Sequence, residues 1–515
     1  MNDTTMTHFA SLTEMVALQD PAAAFMTAPG GVPLTYGGLQ ALMARTTATL
    51  NAWGIGRGDR VAIALPNCPE MACAFVAVAG ACTAAPLNMA YRADEFEFYL
   101  GDLHARALIV AQGSDSPAIA VARRLGIAVL ALEPLPAQGA GSFVLHAPES
   151  TAHTAAVSGG PAQADDVALI LHTSGTTSRP KIVPLSHRNV CASARNISRT
   201  LQLTAADREL HIMPLFHIHG LIAGVLAPMA AGSLIFCTPG FNALKIFGWM
   251  KECRPTWYTA VPTMHQTILS RAAGNREVIE ANPLRFIRSS SSSMPPQVIA
   301  EIERVFNAPL IESYGMTEAA HQMASSPLPP AKRIPGSVGI AAGPDIAIMN
   351  AAGTLLGSGE VGEVVIRGDN VTQGYENNPA ANAEAFVDGW FRTGDQGVLD
   401  AQGYLTLTGR LKEIINRGGE KISPREVDEV LMDHPAVAQV VTFGMPHDKL
   451  GEEVAAAVVL HEGQQLTERE LRDFVAARLA DFKVPKKLLF MAEIPKGATG
   501  KLQRIGLAAK LGLGG

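Results

Sequence analysis

The chain has 515 residues, 48% hydrophobic and 17% charged, so it is long enough for more than one domain, builds a large core and is not globally disordered. A formal net charge of −6 excludes a general nucleic-acid binder. Cys68, Cys73, Cys82, Cys191, Cys237 and Cys253 form no CxxC or other zinc spacing, and their apolar neighbours mark them as reduced core thiols rather than disulfides or metal ligands.

The first residues lack a basic region followed by an apolar segment, and Leu511-Gly512-Leu513-Gly514-Gly515 is no peroxisomal or retention signal, so a cytoplasmic protein is expected. Leu34-Thr35-Tyr36 opens a helical pattern through Leu39, Leu42 and Leu50. Arg57-Gly58-Asp59 is a turn feeding the strand Arg60-Val61-Ala62-Ile63-Ala64-Leu65, not an adhesion ligand. Asn67-Cys68-Pro69-Glu70 carries helix-start chemistry, with Pro and an acid in the first turn. Strand and helix alternate again around Ala107-Leu108-Ile109-Val110 and Ala128-Val129-Leu130, which predicts parallel sheets with crossover helices. The uncharged stretches 71–90 and 212–244 are interrupted by Pro, Gly or Asn and read as buried helices and strands rather than membrane spans. Residues 133–166, rich in Ala, Pro, Gly and Ser, read as a surface connection.

Next, the buried strand Val167-Ala168-Leu169-Ile170-Leu171 runs into His172-Thr173-Ser174-Gly175-Thr176-Thr177-Ser178-Arg179-Pro180-Lys181. Hydroxyls, backbone N–H groups and two cations crowd into one turn there, which is what a polyphosphate needs. It is not P-loop spacing, because no Gly-Lys-Ser/Thr follows. Composition alone leaves a plain solvated turn open. Ser186-His187-Arg188-Asn189 reads as a helix cap. His217 and His219 have no third ligand near in sequence, so one lining a pocket and one serving structure outweighs a metal pair. Leu284-Arg285-Phe286-Ile287-Arg288 runs into five serines, 289–293, which read equally as a linker or as the donor-rich wall of a site. Glu312-Ser313-Tyr314-Gly315-Met316-Thr317-Glu318-Ala319-Ala320-His321 packs aromatic, hydroxyl, carboxylate and imidazole beside a glycine turn. Two Gly-punctuated β segments end on Asp395 and Arg410. From Lys412 the texture changes to helix 423–432, strands 437–444 and 453–460 and helix 467–479, then Pro495-Lys496-Gly497-Ala498-Thr499-Gly500-Lys501, a second domain of normal size.

Together HTSGTTSRPK, ESYGMTE, WFRTGD, GRLKEIINRGGEKISP and PKGATGK resemble the acyl-adenylate-forming family of acyl-CoA synthetases, peptide-synthetase adenylation domains and firefly luciferase. The resemblance spans nearly the whole chain, from Leu34 to Lys501. It implies an α/β fold: a large N-terminal AMP-binding domain (1–409) of parallel and mixed sheets flanked by helices plus a β subdomain, a hinge (410–412) at Lys412, and a small mobile α+β C-terminal domain (413–515). It further implies two steps, in which a carboxylate attacks the α-phosphate of ATP with loss of pyrophosphate and a thiol then displaces AMP. Joining two anions demands charge neutralisation and alignment.

The residues the resemblance assigns to ATP and AMP are Thr173, Ser174, Gly175, Thr176, Thr177, Lys181, Ser291, Ser292, Glu312, Tyr314, Gly315, Thr317, Asp395 and Arg410. Tyr314 offers its face to adenine, and Asp395 accepts from the ribose. Glu318 is the implied Mg²⁺ ligand, a hard carboxylate for a hard ion. Lys501 is the implied catalytic lysine, acting with Thr317 and Glu318, and Gly418 and Gly419 approach the thiol. No carrier domain follows Lys501, so free coenzyme A is the expected acceptor. Ser178 and Ile182 depart from the family's glycines, and Ile does not readily adopt positive φ.

Family position places the acid at His217, Ser289, Ser290 and His321, a polar wall that disfavours a long acyl chain. Arg288 either adds positive charge there or pairs with a surface acid. The wording of HTSGTTSRPK, PLFHIHGL and ESYGMTEAAHQMASSPLP resembles the oxalate–CoA ligase branch. Malonate, another short acid or a medium-chain fatty acid is the alternative substrate, and a non-catalytic AMP-binding sensor is the remote one.

Overall fold

The computed structural model describes residues 9–147, 156–173, 180–495 and 504–513. Ser174, Gly175, Thr176, Thr177 and Lys501 therefore lie outside the described residues, as does Ser178. The described chain divides into two compact units. The larger runs to Asp345 and includes Ile366–Gly389; the smaller comprises Ile346–Val365 and the chain from Trp390.

In the larger unit a seven-stranded sheet runs in the order Phe143–His146, Ala128–Pro134, Ala107–Ala111, Arg60–Ala64, Thr83–Pro86, β1 (Val167–His172) and β2 (Ile182–Ser186). Its inner pairs are parallel, and the outermost pair on each side is antiparallel. The strand Phe143–His146 corrects the reading of 133–166 as mere surface connection. Phe143 and Leu145 alternate inward, the half-buried β period, and pair with Ala128–Pro134. Ser186 caps the helix α1 (His187–Thr200), sharing a capping box with Asn189.

The second sheet has one apolar and one polar face. Its parallel centre is Leu234–Cys237, β3 (Arg208–His211), β4 (Trp257–Ala260), β5 (Phe286–Ser290) and β6 (Leu310–Met316); β7 (His321–Ser325) joins antiparallel beside β6. Side chains alternate across a strand. On one face Leu210, Tyr258, Ala260, Ile287 and Leu310 join Phe247, Ile268, Ile302 and Phe306 in one hydrophobic cluster. Each such large apolar side chain contributes about 1.5–3 kcal/mol on burial. On the other face Glu209, His211, Thr259, Arg288, Ser290 and Ser313 form a layer of polar groups, all buried. Registers set Thr259 beside Arg288 and Ser290 beside Ser313. The five serines are thus no linker: Ser289 and Ser290 finish β5, at 2% and 1% exposure.

In the smaller unit β8 (Trp390–Leu399) and β9 (Leu405–Arg410) pair antiparallel. β10 (Ile415–Arg417) and β11 (Glu420–Ile422) form a hairpin, as do the longer β12 (Val437–His447) and β13 (Gly451–Leu460). Helix α2 (Pro424–Met432) starts from the N-cap Ser423, and Glu468–Ala476 from Thr467. Ile415, Ile422, Val427, Leu431, Val454, Val458 and Leu471 close one core. All six cysteines are free thiols. Among the described residues no helix is long and apolar enough to cross a membrane.

Candidate active site

Thr173 and Lys181, on either side of residues 174–179, are tied to each other. Thr173 N–H donates to the Lys181 carbonyl at 3.0 Å, and Lys181 N–H to Thr173 Oγ1 at 3.4 Å. Ile182 needs no positive φ. It opens β2 opposite His172, an extended position that suits a β-branched side chain. The ammonium of Lys181 stands 4.3 Å from the ring centroid of Tyr375, and the Tyr375 hydroxyl donates to Glu318 Oε1 at 2.8 Å. Glu318 is 6% exposed, on the tight turn Thr317–Ala319 between β6 and β7.

That turn is sharply shaped. Ala320 and His321 have φ of 45° and 100°, the left-handed region a non-glycine residue avoids. Gly315 is required opposite: an added Cβ would lie 1.8 Å from the His321 carbonyl oxygen. Glu312, Tyr314 and Gly315 lie along β6, with Tyr314 9% exposed. Ser291, with φ of 76°, turns the chain out of β5 towards Ser292.

The polar face of the second sheet centres on Arg288, 0% exposed. Its Nη1 reaches His219 Nε2 at 3.3 Å, Thr259 Oγ1 at 3.3 Å and His321 Nε2 at 3.4 Å. Its Nη2 donates to Ser313 Oγ at 2.7 Å and Gln322 Oε1 at 3.2 Å. His219 Nε2 also lies 2.7 Å from Thr259 Oγ1, and His219 Nδ1 lies 3.1 Å from Ser291 Oγ, so Thr259 and Ser291 hold the ring from both of its nitrogens. Gln322 is oriented from behind: its amide N–H groups go to Thr200 Oγ1 and the Ala342 carbonyl, turning Oε1 to Arg288. The two imidazole rings lie 4.8 Å apart.

Among the described residues no carboxylate lies within ion-pair distance of Arg288, and its Nε has no hydrogen-bond partner. Burial pushes the guanidinium down to about 9, with Glu209 opposing the shift. Glu209, on β3, is wholly buried against His211, and burial raises its carboxyl above the usual range. A buried cation with no carboxylate within ion-pair distance suits a small anion.

Of the acid-binding residues expected from sequence, His321 belongs to this cluster. His217 is half-buried with its ring against Phe216 at 4.9 Å, and His219 takes the place beside Arg288. Ser289 Oγ is buried without a hydrogen-bond partner among the described residues, and Ser290 Oγ donates to the Ser313 carbonyl at 2.8 Å. Sequence reading expected one of His217 and His219 to line a pocket and placed the acid at His217; it missed Thr259, Gln322 and Tyr375. The alternation in β5, which sets Arg288 opposite Ile287, was the available signal for the polar face. A cavity of about 200 Å³ lined by Leu65, Met71, Met89, Ile212, Phe216 and Met264 takes Ile212 from the apolar side of the sheet, away from Arg288.

In the smaller unit Asp395 and Arg410 face each other across β8 and β9, with Arg410 Nε donating to Asp395 Oδ1 at 2.9 Å. Lys412 sits in the tight turn Leu411–Glu413. Gly418 and Gly419, with φ of 59° and 98°, make the two-residue turn joining β10 and β11, a mirror-image turn that needs positive φ at both positions. Arg504 is anchored by Glu413 at 3.2 Å and by Asp428. Among the described residues no three His, Cys, Asp or Glu side chains gather to hold a metal. Glu318, one buried carboxylate, fits a Mg²⁺ ion that takes most of its ligands from phosphates and water.

The sequence matches the AMP-binding enzyme family over residues 13–376 and the AMP-binding enzyme C-terminal domain over residues 426–501. It is 45% identical to the oxalate–CoA ligase of Arabidopsis thaliana over 96% of this chain and 97% of that one. It is 35% identical to the sulfoacetate–CoA ligase of Cupriavidus necator over 97% of each. The fold superposes on O-succinylbenzoate coenzyme A synthetase (MenE) from Bacillus subtilis in complex with ATP and magnesium ion, with a TM-score of 0.80, 28% identity and coverage of 96% of this chain and 98% of that one.

Proposed function

The chain belongs to the AMP-binding enzyme family, as an AMP-forming acid–CoA ligase that uses ATP and coenzyme A, and from that premise we propose that its acid is oxalate. The observation that carries the proposal is Arg288, a fully buried cation surrounded by neutral donors and acceptors. A buried charge left unpaired costs several kcal/mol. The second carboxylate of oxalate supplies the missing counter-ion. A long aliphatic acid would instead leave the buried charge of Arg288 without a counter-ion. The similarity to enzymes named for oxalate and for sulfoacetate, both small acids with a second anionic group, supports the same reading.

In the first half-reaction a carboxylate oxygen bonds to the α-phosphorus, the bond to the β-phosphate bridging oxygen breaks, and pyrophosphate leaves. Thr173, Ser174, Gly175, Thr176, Thr177 and Lys181 hold the departing phosphates by N–H, hydroxyl and ammonium donors. Glu318 would hold Mg²⁺, which would neutralise phosphate charge. Ser291, Ser292, Glu312, Tyr314 and Gly315 frame the base, Asp395 and Arg410 serve the ribose, and Lys501 with Thr317 stabilises charge at the reacting carboxylate and α-phosphate. In the second half-reaction the thiol sulfur bonds to the acyl carbon, its proton is lost, and AMP leaves with the electrons of the acyl–oxygen bond. Lys412 acts as the hinge of a domain boundary at 410–412, and Gly418 and Gly419 leave room for the thiol's approach.

The test is pyrophosphate release with ATP across oxalate, malonate, acetate and octanoate, with and without coenzyme A. Oxalate turns over best; best turnover with octanoate overturns the proposal. In the same assay Arg288→Met raises the KM for oxalate by roughly 10–100-fold, the loss of one charge-assisted contact, and leaves the KM for ATP within about twofold.

A further inference from the structure

Residues 370–376 form a strap between two parts of the nucleotide apparatus. On one side Asn370 Nδ2 donates to the Ala319 and Gln322 carbonyls at 2.8 and 3.1 Å, and Thr372 N–H donates to the Glu318 carbonyl at 2.7 Å. On the other side the Thr372 hydroxyl donates to the Pro184 carbonyl at 2.8 Å, and Glu376 N–H to the Ile182 carbonyl at 3.2 Å. Arg60 locks the end of the strap through both Glu376 carboxylate oxygens, at 2.7 and 2.6 Å. The strap is stitched to the Glu318 turn and to β2, the strand that leaves the phosphate loop.

Tyr375 lies near its end, 8% exposed. Its backbone is pinned by Asn382, which accepts from the Tyr375 N–H at 2.7 Å and donates to the Tyr375 carbonyl at 2.8 Å. A side chain anchored this way has little freedom, and its two functional ends point at two different groups. The hydroxyl donates to Glu318 Oε1, and the ring face receives the Lys181 ammonium. A hydroxyl donating to one carboxylate oxygen fixes the rotation of the carboxylate, and an aromatic face draws a cation to a defined place.

We propose that Tyr375 is a positioning residue for metal–nucleotide binding: one ring aligns the carboxylate of Glu318 and the ammonium of Lys181 before ATP arrives. The proposal rests on Glu318 as the metal ligand and concerns the geometry of that ligand. Neither the acid nor coenzyme A is involved, so their KM values are independent of Tyr375.

The two contacts are separable by substitution. Tyr375→Phe keeps the ring and removes the hydroxyl; Tyr375→Leu removes both; Glu318→Gln reports on the metal ligand itself. The full chain is loaded with a non-hydrolysable ATP analogue, and Mn²⁺ binding is titrated by electron paramagnetic resonance. Melting temperature and the KM values for ATP, oxalate and coenzyme A are measured in parallel. Y375F weakens Mn²⁺ binding in the nucleotide complex by roughly tenfold, the loss of one hydrogen bond to a charged group, with an unchanged KM for oxalate. Y375L further raises the KM for ATP. Wild-type Mn²⁺ affinity in Y375F together with lost affinity in E318Q overturns the role of Tyr375 and leaves the metal ligand standing. Wild-type affinity in E318Q overturns the assignment of Glu318. Equal rises in all three KM values in Y375F, with a lowered melting temperature, also overturn the proposal, because a merely structural tyrosine would behave that way.

Discussion

Arg288 shows what one residue was able to disclose in the sequence and what it was not. Its charge was visible; whether it was buried in the site or paired with a surface acid was left open; its partners were not legible, because His219, Thr259, Ser313 and the neighbours His321 and Gln322 come from four separate segments. His217 and His219 stand two residues apart with the same chemistry, so the sequence did not decide between them, and the fold places His219 beside Arg288. The charge of Arg288 has a consequence for binding. Burial disfavours the charged guanidinium, which stays protonated, so a bound dianion that neutralises it is favoured.

Among the elements, strands and helices with clear periodicity were legible to within a few residues; the helix expected at 423–432 runs Pro424–Met432 behind its Ser423 cap. The strand Phe143–His146 was not, because two inward residues inside an Ala/Pro/Gly-rich stretch give too short a pattern to outweigh turn chemistry. The Thr317–Ala319 turn was legible as chemistry and illegible as geometry: nothing in its residue types announces the φ of 100° at His321. Gly315 makes that geometry possible. Gly315→Ala drives a methyl into the His321 carbonyl, backbone against backbone, so destabilisation above about 3 kcal/mol is expected, together with a raised KM for oxalate as His321 is displaced. Urea unfolding midpoints check the first and steady-state kinetics the second. A Gly315→Ala protein with wild-type midpoint and KM would show that the turn yields.

At the scale of the whole molecule, composition pointed to more than one domain, and the motifs pointed to the family; the division of the chain by contacts, with Ile346–Val365 joining the chain from Trp390, was not legible because it is made by tertiary packing alone. Global stability carries its own pH signature. Burial pushes His187 and His265 down to about 4 from an ordinary 6.5. The tautomer of His265 is fixed, with Nε2–H donating to the Arg288 carbonyl and Nδ1 accepting from Tyr258 O–H, so a second proton on Nδ1 has to displace the Tyr258 bond. The folded pKa lies below the unfolded one. Stability is therefore fully present above pH 6.5 and is lost as pH falls towards 4, by about 1.4 kcal/mol per pH unit for each histidine. Denaturant midpoints measured across that range follow this slope, and His265→Gln makes it shallower; an unchanged slope in that variant contradicts the account. The sheet that holds Arg288 also constrains how such a ligase diversifies. Because β5 has an oily side and a polar side, inserting or deleting one residue would carry Ile287 into the polar layer and Arg288 into the hydrophobic cluster. Lineages of this enzyme can therefore exchange one acid for another through substitutions that keep the length of β5, whereas a change of length there forfeits the fold before any new preference can be selected.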